Sequence, residues 1–357
     1  AYNTGTGFFL GYESAAYKFS IGDGGTTYYL TWDGTTLVVN GSPVLNQDIF
    51  GDGSDGTVTI SADTSLSRDM YYDTLTVNTT FTLNPNGFRI FVKNTLNTVG
   101  TGKIASNGNV GGLGGTASND LAGAAGAAGA IAYSTGTLPI PLVGKGGGAG
   151  GAATGAQRVG DPGTAGANQA KAVGNTDAVA GGVGGTSGAF AGGAAGVAGT
   201  KTGTIFALPR AVVSAYNLYD LSGGTITQFG VAPSGGGAGG GASGVVNTAG
   251  GGGGGGSGSS GGVVWVAARL VTNITAEAKG GVGGNGGNHG ANGGTGGVGG
   301  GGAGGNGGAI IFLYSRLTAS SLAVTGGAGG TKGTIGSTTN ATDGTAGNAG
   351  ISVTLQI

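Results

Sequence analysis

Residues 280–308 read GGVGGNGGNHGANGGTGGVGGGGAGGNGG, and this stretch limits what the chain can fold into more than any other. Ordering a glycine costs more backbone entropy than ordering any other residue. Such a run is therefore either a slack spacer or an architecture that only glycine permits. Its side chains keep a register: Val282, Asn285, Asn288 and Ala291 recur at every third position. Asn292, Thr295 and Val298 then form a second phase, and Ala303 with Asn306 a third. A flexible Gly/Ser linker has no reason to keep phase. Collagen keeps it, but with proline in the X and Y positions, and this stretch has none. Period three is the repeat of a polyproline-II-type helix, which rises about 3.1 Å per residue without internal hydrogen bonds. The two phase slips, near His289 and Gly301, predict three legs, each roughly 20–28 Å long at that rise.

Gly-Gly-X legs have two faces without Cβ, so neighbouring backbones can approach and exchange the N–H···O=C bonds that buried backbone requires. A single leg could not offset the entropy of ordering it. Many must pack together, with the X residues on the lattice exterior.

The rest of the composition narrows the function. The 357 residues include 92 glycines, and 14 Lys and Arg face 15 Asp and Glu for a net charge of −1. A nucleic-acid footprint needs clustered cations, and a polybasic membrane surface needs the same. No apolar run approaches the ~18–20 residues that cross a bilayer, so membrane insertion is not expected. Cysteine is absent, which removes disulfide and thiolate chemistry. The chain starts at Ala1 without a signal-peptide pattern, as expected of a processed product or a piece of something longer.

No amphipathic helix stands out, and the short alternating runs point to an all-β chain with almost no α-helix. Residues 1–50 read as a small β module, with "YKFSIG", "TTYYLTWDG" and "TTLVVNGSPV" separated by turn signals. Residues 51–106 continue as a β-rich module ending in a first coil. Residues 107–262 form a long Gly/Ala-rich insertion holding two apolar islands, 131–145 and 205–231. Residues 263–357 hold two further coils, glycine legs at 280–308 and 326–350, and a last strand at 351–357. The coils are predicted from three segments, "IFVKNTL" (90–96), "VWVAARL" (264–270) and "IFLYSRL" (311–317), each trailed by a second alternating run. Repeats of this kind predict a β-solenoid-like core, because one coil cannot bury its apolar face alone. An antiparallel sandwich is the alternative.

"FLGYESAAYKFSIGDGGTTYYLTWDGTTLVVNGS" (9–42) and "FGDGSDGTVTISADTSLSRDMYYDTLTVNTTFTLNPNGFRIFVKNTL" (50–96) resemble modules of glycine-rich tail-fibre and tip-adhesin proteins of tailed bacteriophages. Together they cover about a quarter of the chain. The glycine legs resemble, in style alone, the layered polyglycine-II sandwich of such adhesins, with recognition loops at its tips. The resemblance implies a virion structural protein outside the cell, without enzymatic activity or cofactor. It would bind a host surface glycan or outer-membrane protein, other tail or fibre proteins, and copies of itself as a trimer or filament. A self-assembling extracellular filament with a mechanical role is the alternative.

Catalysis has little raw material. His289 is the sole histidine, too few for a zinc site, and it reads as a polar turn residue. Asp48, Asp52 and Asp55 around "GDGSDG" are a conceivable calcium loop, though a plain turn fits better. Matches to G-x-G-x-x-G arise by chance in a chain this rich in glycine, and none follows a strand and opens a helix. Recognition is instead expected from aromatic and Arg side chains in the two islands, the types that binding hot spots favour: Tyr133, Phe206, Arg210, Tyr216, Tyr219 and Phe229. Self-packing or a subunit contact would use the same residues.

Overall fold

The computed structural model describes residues 6–23, 29–32, 37–40, 49–118, 121–138, 140–151, 179–185, 193–194, 196, 219–220, 224–225, 228–229, 249–290, 296–336, 338 and 340–357. None of these residues is in a helix. The chain divides into two compact units, Ala1–Asp52 and Gly53–Ile357.

The first unit holds one antiparallel sheet in the order β1 (Thr6–Glu13), β2 (Ala16–Asp23), β3 (Tyr29–Trp32), β4 (Leu37–Asn40). A tight turn with positive φ at Ser14 and Ala15 joins β1 to β2 and pairs Tyr12 with Tyr17, Leu10 with Phe19 and Phe8 with Ile21.

The second unit begins with β5 (Thr57–Ile60), β6 (Thr64–Ser65), β7 (Met70–Tyr72), β8 (Thr74–Val77), β9 (Thr82–Asn84), β10 (Arg89–Thr98) and β11 (Lys103–Ala105). Four short strands follow in the long insertion: β12 (Ile140–Pro141), β13 (Tyr219–Asp220), β14 (Gly224–Thr225) and β15 (Gln228–Phe229). The chain ends with β16 (Val263–Glu277), β17 (Ala309–Leu317), β18 (Ser320–Ala323) and β19 (Ile351–Gln356). Two parallel ladders organise these strands. One runs β5–β8–β10–β16–β17–β19, with β7 also on β10. The other runs β6–β9–β11–β16–β18. The long strand β16 passes through both, so successive coils bend from one ladder into the other and stack as a solenoid. The antiparallel sandwich is thereby excluded for this core.

Alternation sends one set of side chains between the ladders. Leu75, Val77, Ile90, Leu96, Ile104 and Phe312 are completely enclosed there. The expected coil segments do stack, but in a shifted register. Ile90 lies beside Val266, not Val264, and Val264 beside Ile310, not Ile311. A one-residue slip exchanges the two faces of a strand. The observed register puts Ile90, Val266 and Phe312 together inside and Phe91, Ala267 and Leu313 together on the other face.

From the coil corners the chain leaves the β ladder as glycine legs, reverses, and returns to begin the next coil. Leg 251–262 is the centre of the lattice. Its N–H groups donate in rotation to three neighbours: Gly254 to Gly148 O, Gly255 to Gly300 O, Gly256 to Gly112 O, then Ser257 to Lys145 O, Gly258 to Ala303 O and Ser259 to Asn109 O. Its carbonyls accept from two more legs, as in Gly126 N to Gly254 O and Gly284 N to Gly256 O. Three residues per turn aim successive N–H groups about 120° apart, and this produces the rotation. The backbone thus answers the question of where its buried polar groups go.

Two expectations about the legs need correction. The described residues of 280–308 form two legs, not three. Leg 279–290 and leg 296–308 run antiparallel, with Gly299, Gly302, Gly305 and Gly308 donating to Gly287, Gly284, Gly281 and Ala278. The first phase slip thus separates two legs of opposite direction, whereas the chain continues straight through Gly301. The X residues are not all exterior either: Val298, Ala303 and Ser257 are fully enclosed.

Candidate recognition surface

Direction along the legs separates two ends of the second unit. At the near end the legs leave and re-enter the β coils, at 106–108, 278–280, 308–309, 324 and 350. At the far end they reverse.

An ionic junction fixes the near end. Glu277, the last residue of β16, accepts from Lys103 Nζ and Lys279 Nζ, each at 2.8 Å, and from Asn107 Nδ2 at 3.1 Å. The Asn107 Oδ1 in turn accepts the Lys279 N–H at 2.8 Å. Burial works to raise the Glu277 carboxyl, but the hydrogen bonds from Lys103, Lys279 and Asn107 outweigh it and hold it at about 2.

Island 131–145 belongs to this near end, and it is a plug rather than a display. Thr137 and Leu138 donate their N–H groups to Gly87 O, and Thr137 Oγ1 bonds Asp69. Tyr133 is buried against Gly87 and Gly262, and its hydroxyl accepts the Val263 N–H at 3.3 Å. Burial pushes its phenol well above the usual range. Tyr133 is therefore withdrawn as a receptor contact, because packing against glycine with its hydroxyl engaged leaves nothing to offer a partner. Of island 205–231, Gln228 pairs with Ile140 and Phe229 with Pro141, while Tyr219 pairs with Thr225 and Asp220 with Gly224. Phe206, Arg210 and Tyr216 lie outside the described residues.

The calcium reading also fails on geometry at Asp55. Both its carboxylate oxygens engage Arg68, and Oδ2 also accepts the Tyr71 N–H at 2.7 Å. The Arg68 hydrogen bond, opposed by burial and helped by the Tyr71 amide, lowers the Asp55 carboxyl below its ordinary value. Gly53 and Gly56 take positive φ of 78° and 71°, and the Gly56 N–H closes the turn on Gly53 O. The segment at Asp55 is thus a turn locked by an ion pair. Asp48 lies outside the described residues, and no group of three potential metal ligands occurs among the described residues.

The far end gathers the reversals of different legs. Ser118 and Leu121 close one reversal. Gly250 packs on Leu121 and Ala117. His289 is wedged between Gly296 and Gly336, where a Cβ at either glycine would collide with its side chain. Its N–H donates to Ile335 O, and its Nδ1 is buried with no hydrogen-bond partner. Asn340 takes a positive φ in the reversal that leads into leg 341–350. Leu121 and Ile335 are large apolar side chains left open here. Sequence reasoning treated His289 as a turn residue and missed that it organises the tip. The signal was its place at the first phase slip.

Asn side chains supply a second device along the legs. Asn288 Oδ1 accepts the N–H groups of Thr334 and Ile335, and Asn285 Oδ1 that of Thr331. Asn306 Oδ1 does the same for Asn348. These carboxamides add to the direct backbone bonds between the same legs, such as Gly286 N to Thr331 O and Gly307 N to Asn348 O.

No helix among the described residues is long and apolar enough to cross a membrane. Comparison with family models, curated proteins and solved structures finds no match for this chain.

Proposed function

We propose that the chain is the distal, receptor-binding part of a tailed-phage fibre, an extracellular virion structural protein with no catalytic step. One observation carries the reading: a cross-bonded glycine lattice holds several chain reversals together at one end, away from the β coils. Loops presented on a rigid scaffold are a common place for recognition. Host surface glycans or an outer-membrane protein are the partners this reading requires, with other tail or fibre proteins on the side of the β modules. The recognition surface in this reading is the far end, around Leu121, Ile335, Gly336 and Asn340. With few charges near it, binding should vary little with salt.

The test is saturable binding of labelled protein to intact bacteria across a strain panel. Exchanging residues 336–340 for a Gly-Ser segment of equal length, together with Leu121→Ser, should weaken binding at least about tenfold with the melting temperature unchanged. If binding survives that exchange but disappears on deleting 205–231, recognition lies in that island. If no strain shows saturable binding, the adhesin reading falls and a mechanical filament takes its place.

A further inference from the structure

The first unit is built with its apolar face open. Antiparallel pairing places Phe8, Leu10 and Tyr12 of β1 beside Ile21, Phe19 and Tyr17 of β2 on one side of the sheet, joined there by Leu30 and Trp32 of β3. Alternation sends Phe9, Glu13, Lys18, Ser20 and Thr31 to the other side. Burial runs opposite to polarity: Ser20 and Thr31 are enclosed, yet Phe8 is 70% exposed, Leu10 74%, Tyr12 65%, Tyr17 78% and Ile21 49%. Tyr12 and Tyr17 meet edge to face, with ring centroids 5.0 Å apart, so the aromatic end of the face is already ordered.

The size of the patch says what kind of cover it needs. With aromatic side chains of roughly 150–250 Å² each, Phe8, Tyr12 and Tyr17 leave about 400 Å² in water. Leu10 and Ile21 bring the open apolar area to about 600 Å², the upper limit for a monomer's largest patch. Two such faces in contact would bury about 1,200 Å², the lower bound of a specific interface. The net charge of −1 puts little repulsion between copies, and charge near zero favours association. An isologous contact also asks only that one patch match itself, which an uncharged row of Phe, Leu, Ile and Tyr does.

We infer that the Phe8–Leu10–Tyr12 and Tyr17–Phe19–Ile21 face of the first unit is a self-association surface, covered by the same face of another copy of this chain. Such a contact would serve a fibre and a free-standing filament equally, so cell binding does not bear on it.

The test is the mass of the full chain in solution, by light scattering after gel filtration over a range of concentrations. The wild type should give a multiple of 33.3 kDa, and Leu10→Glu with Tyr17→Lys should give the monomer. Both positions are mostly in water, so circular dichroism and the melting temperature of the double variant should match the wild type. Tyr17→Asp alone provides a milder check and should raise the dissociation constant at least about tenfold. A wild type that stays monomeric overturns the inference, and so does one whose Tyr17 is protected from nitration while monomeric, since the chain would then cover its own face. Association that persists in the double variant overturns it too, because the contact then lies elsewhere.

Discussion

At Gly255 there is no room for one more carbon. A Cβ there would fall well inside van der Waals contact of the Gly284 carbonyl, with the Gly302 amide beside it, and both obstacles are backbone that cannot swing aside. Its own N–H is committed to Gly300 O at 2.9 Å. Gly255→Ala should therefore destabilise the second unit by about 3 kcal/mol, the upper end of ordinary overpacking. Ala125→Gly, on the open side of leg 121–130, should cost less than about 1 kcal/mol in added chain entropy. Chemical denaturation of both variants checks the contrast, and an unchanged midpoint for Gly255→Ala would refute close packing of the legs. Among residues, the period-three register was legible because it states which positions must lack a side chain. Burial of Val298 and Ala303 was not. The slip near Gly301 moves the side chain to another of three faces about 120° apart without bending the backbone, and a sequence does not say which face meets a neighbour.

At the scale of elements, the corner where β16 becomes a leg depends on Glu277. Its folded carboxyl is held at about 2, below its ordinary 4.5. A depressed carboxyl stabilises the fold above its unfolded pKa and loses that contribution as pH falls through the folded value. Stability should thus drop between about pH 4.5 and pH 2 by no more than about 3 kcal/mol, less for the screening that the half-open Lys279 allows. Glu277→Gln should flatten that part of the profile. Urea midpoints measured at pH 5 and pH 2.5 decide it, and an identical pH slope in the variant would remove Glu277 from the account. Strands were the easier part to read from sequence. Their apolar runs announced the coils, yet the register came out two residues off for β10 against β16 and one off for β16 against β17. Irregularities between Val92 and Thr95, and between Leu96 and Asn97, break the spacing, so matching Leu to Leu across coils aligned residues that belong to different faces.

For the whole molecule, the β coils and the glycine legs act as one hydrogen-bonded body, because leg pairing continues the strand pairing where a strand ends. Val263 pairs with Ala309 in the ladder, and immediately before it Gly261 donates to Asn306 O. Amide hydrogen exchange followed by mass spectrometry should find 251–262 and 279–290 among the slowest segments, opening with the β core itself. Rapid, uniform exchange across these legs would return them to slack spacer. The functional end was the least legible part. Aromatic islands look like contact residues in a sequence, and Tyr133 shows that the same side chains can be spent on holding a lattice to its base.

The three-residue turn of the legs also bears on how such a molecule can change over generations. Adding one Gly-Gly-X unit at the far end of an outgoing leg and one at the start of its return lengthens the arm by about 9 Å while the donors nearer the β coils keep their acceptors. Gains or losses of one or two residues would rotate all later side chains into their neighbours. Coding repeats of nine bases are thus the natural step for insertion and deletion here: reach can be altered by copying errors in whole steps, and the tip can diverge independently of the arm that carries it.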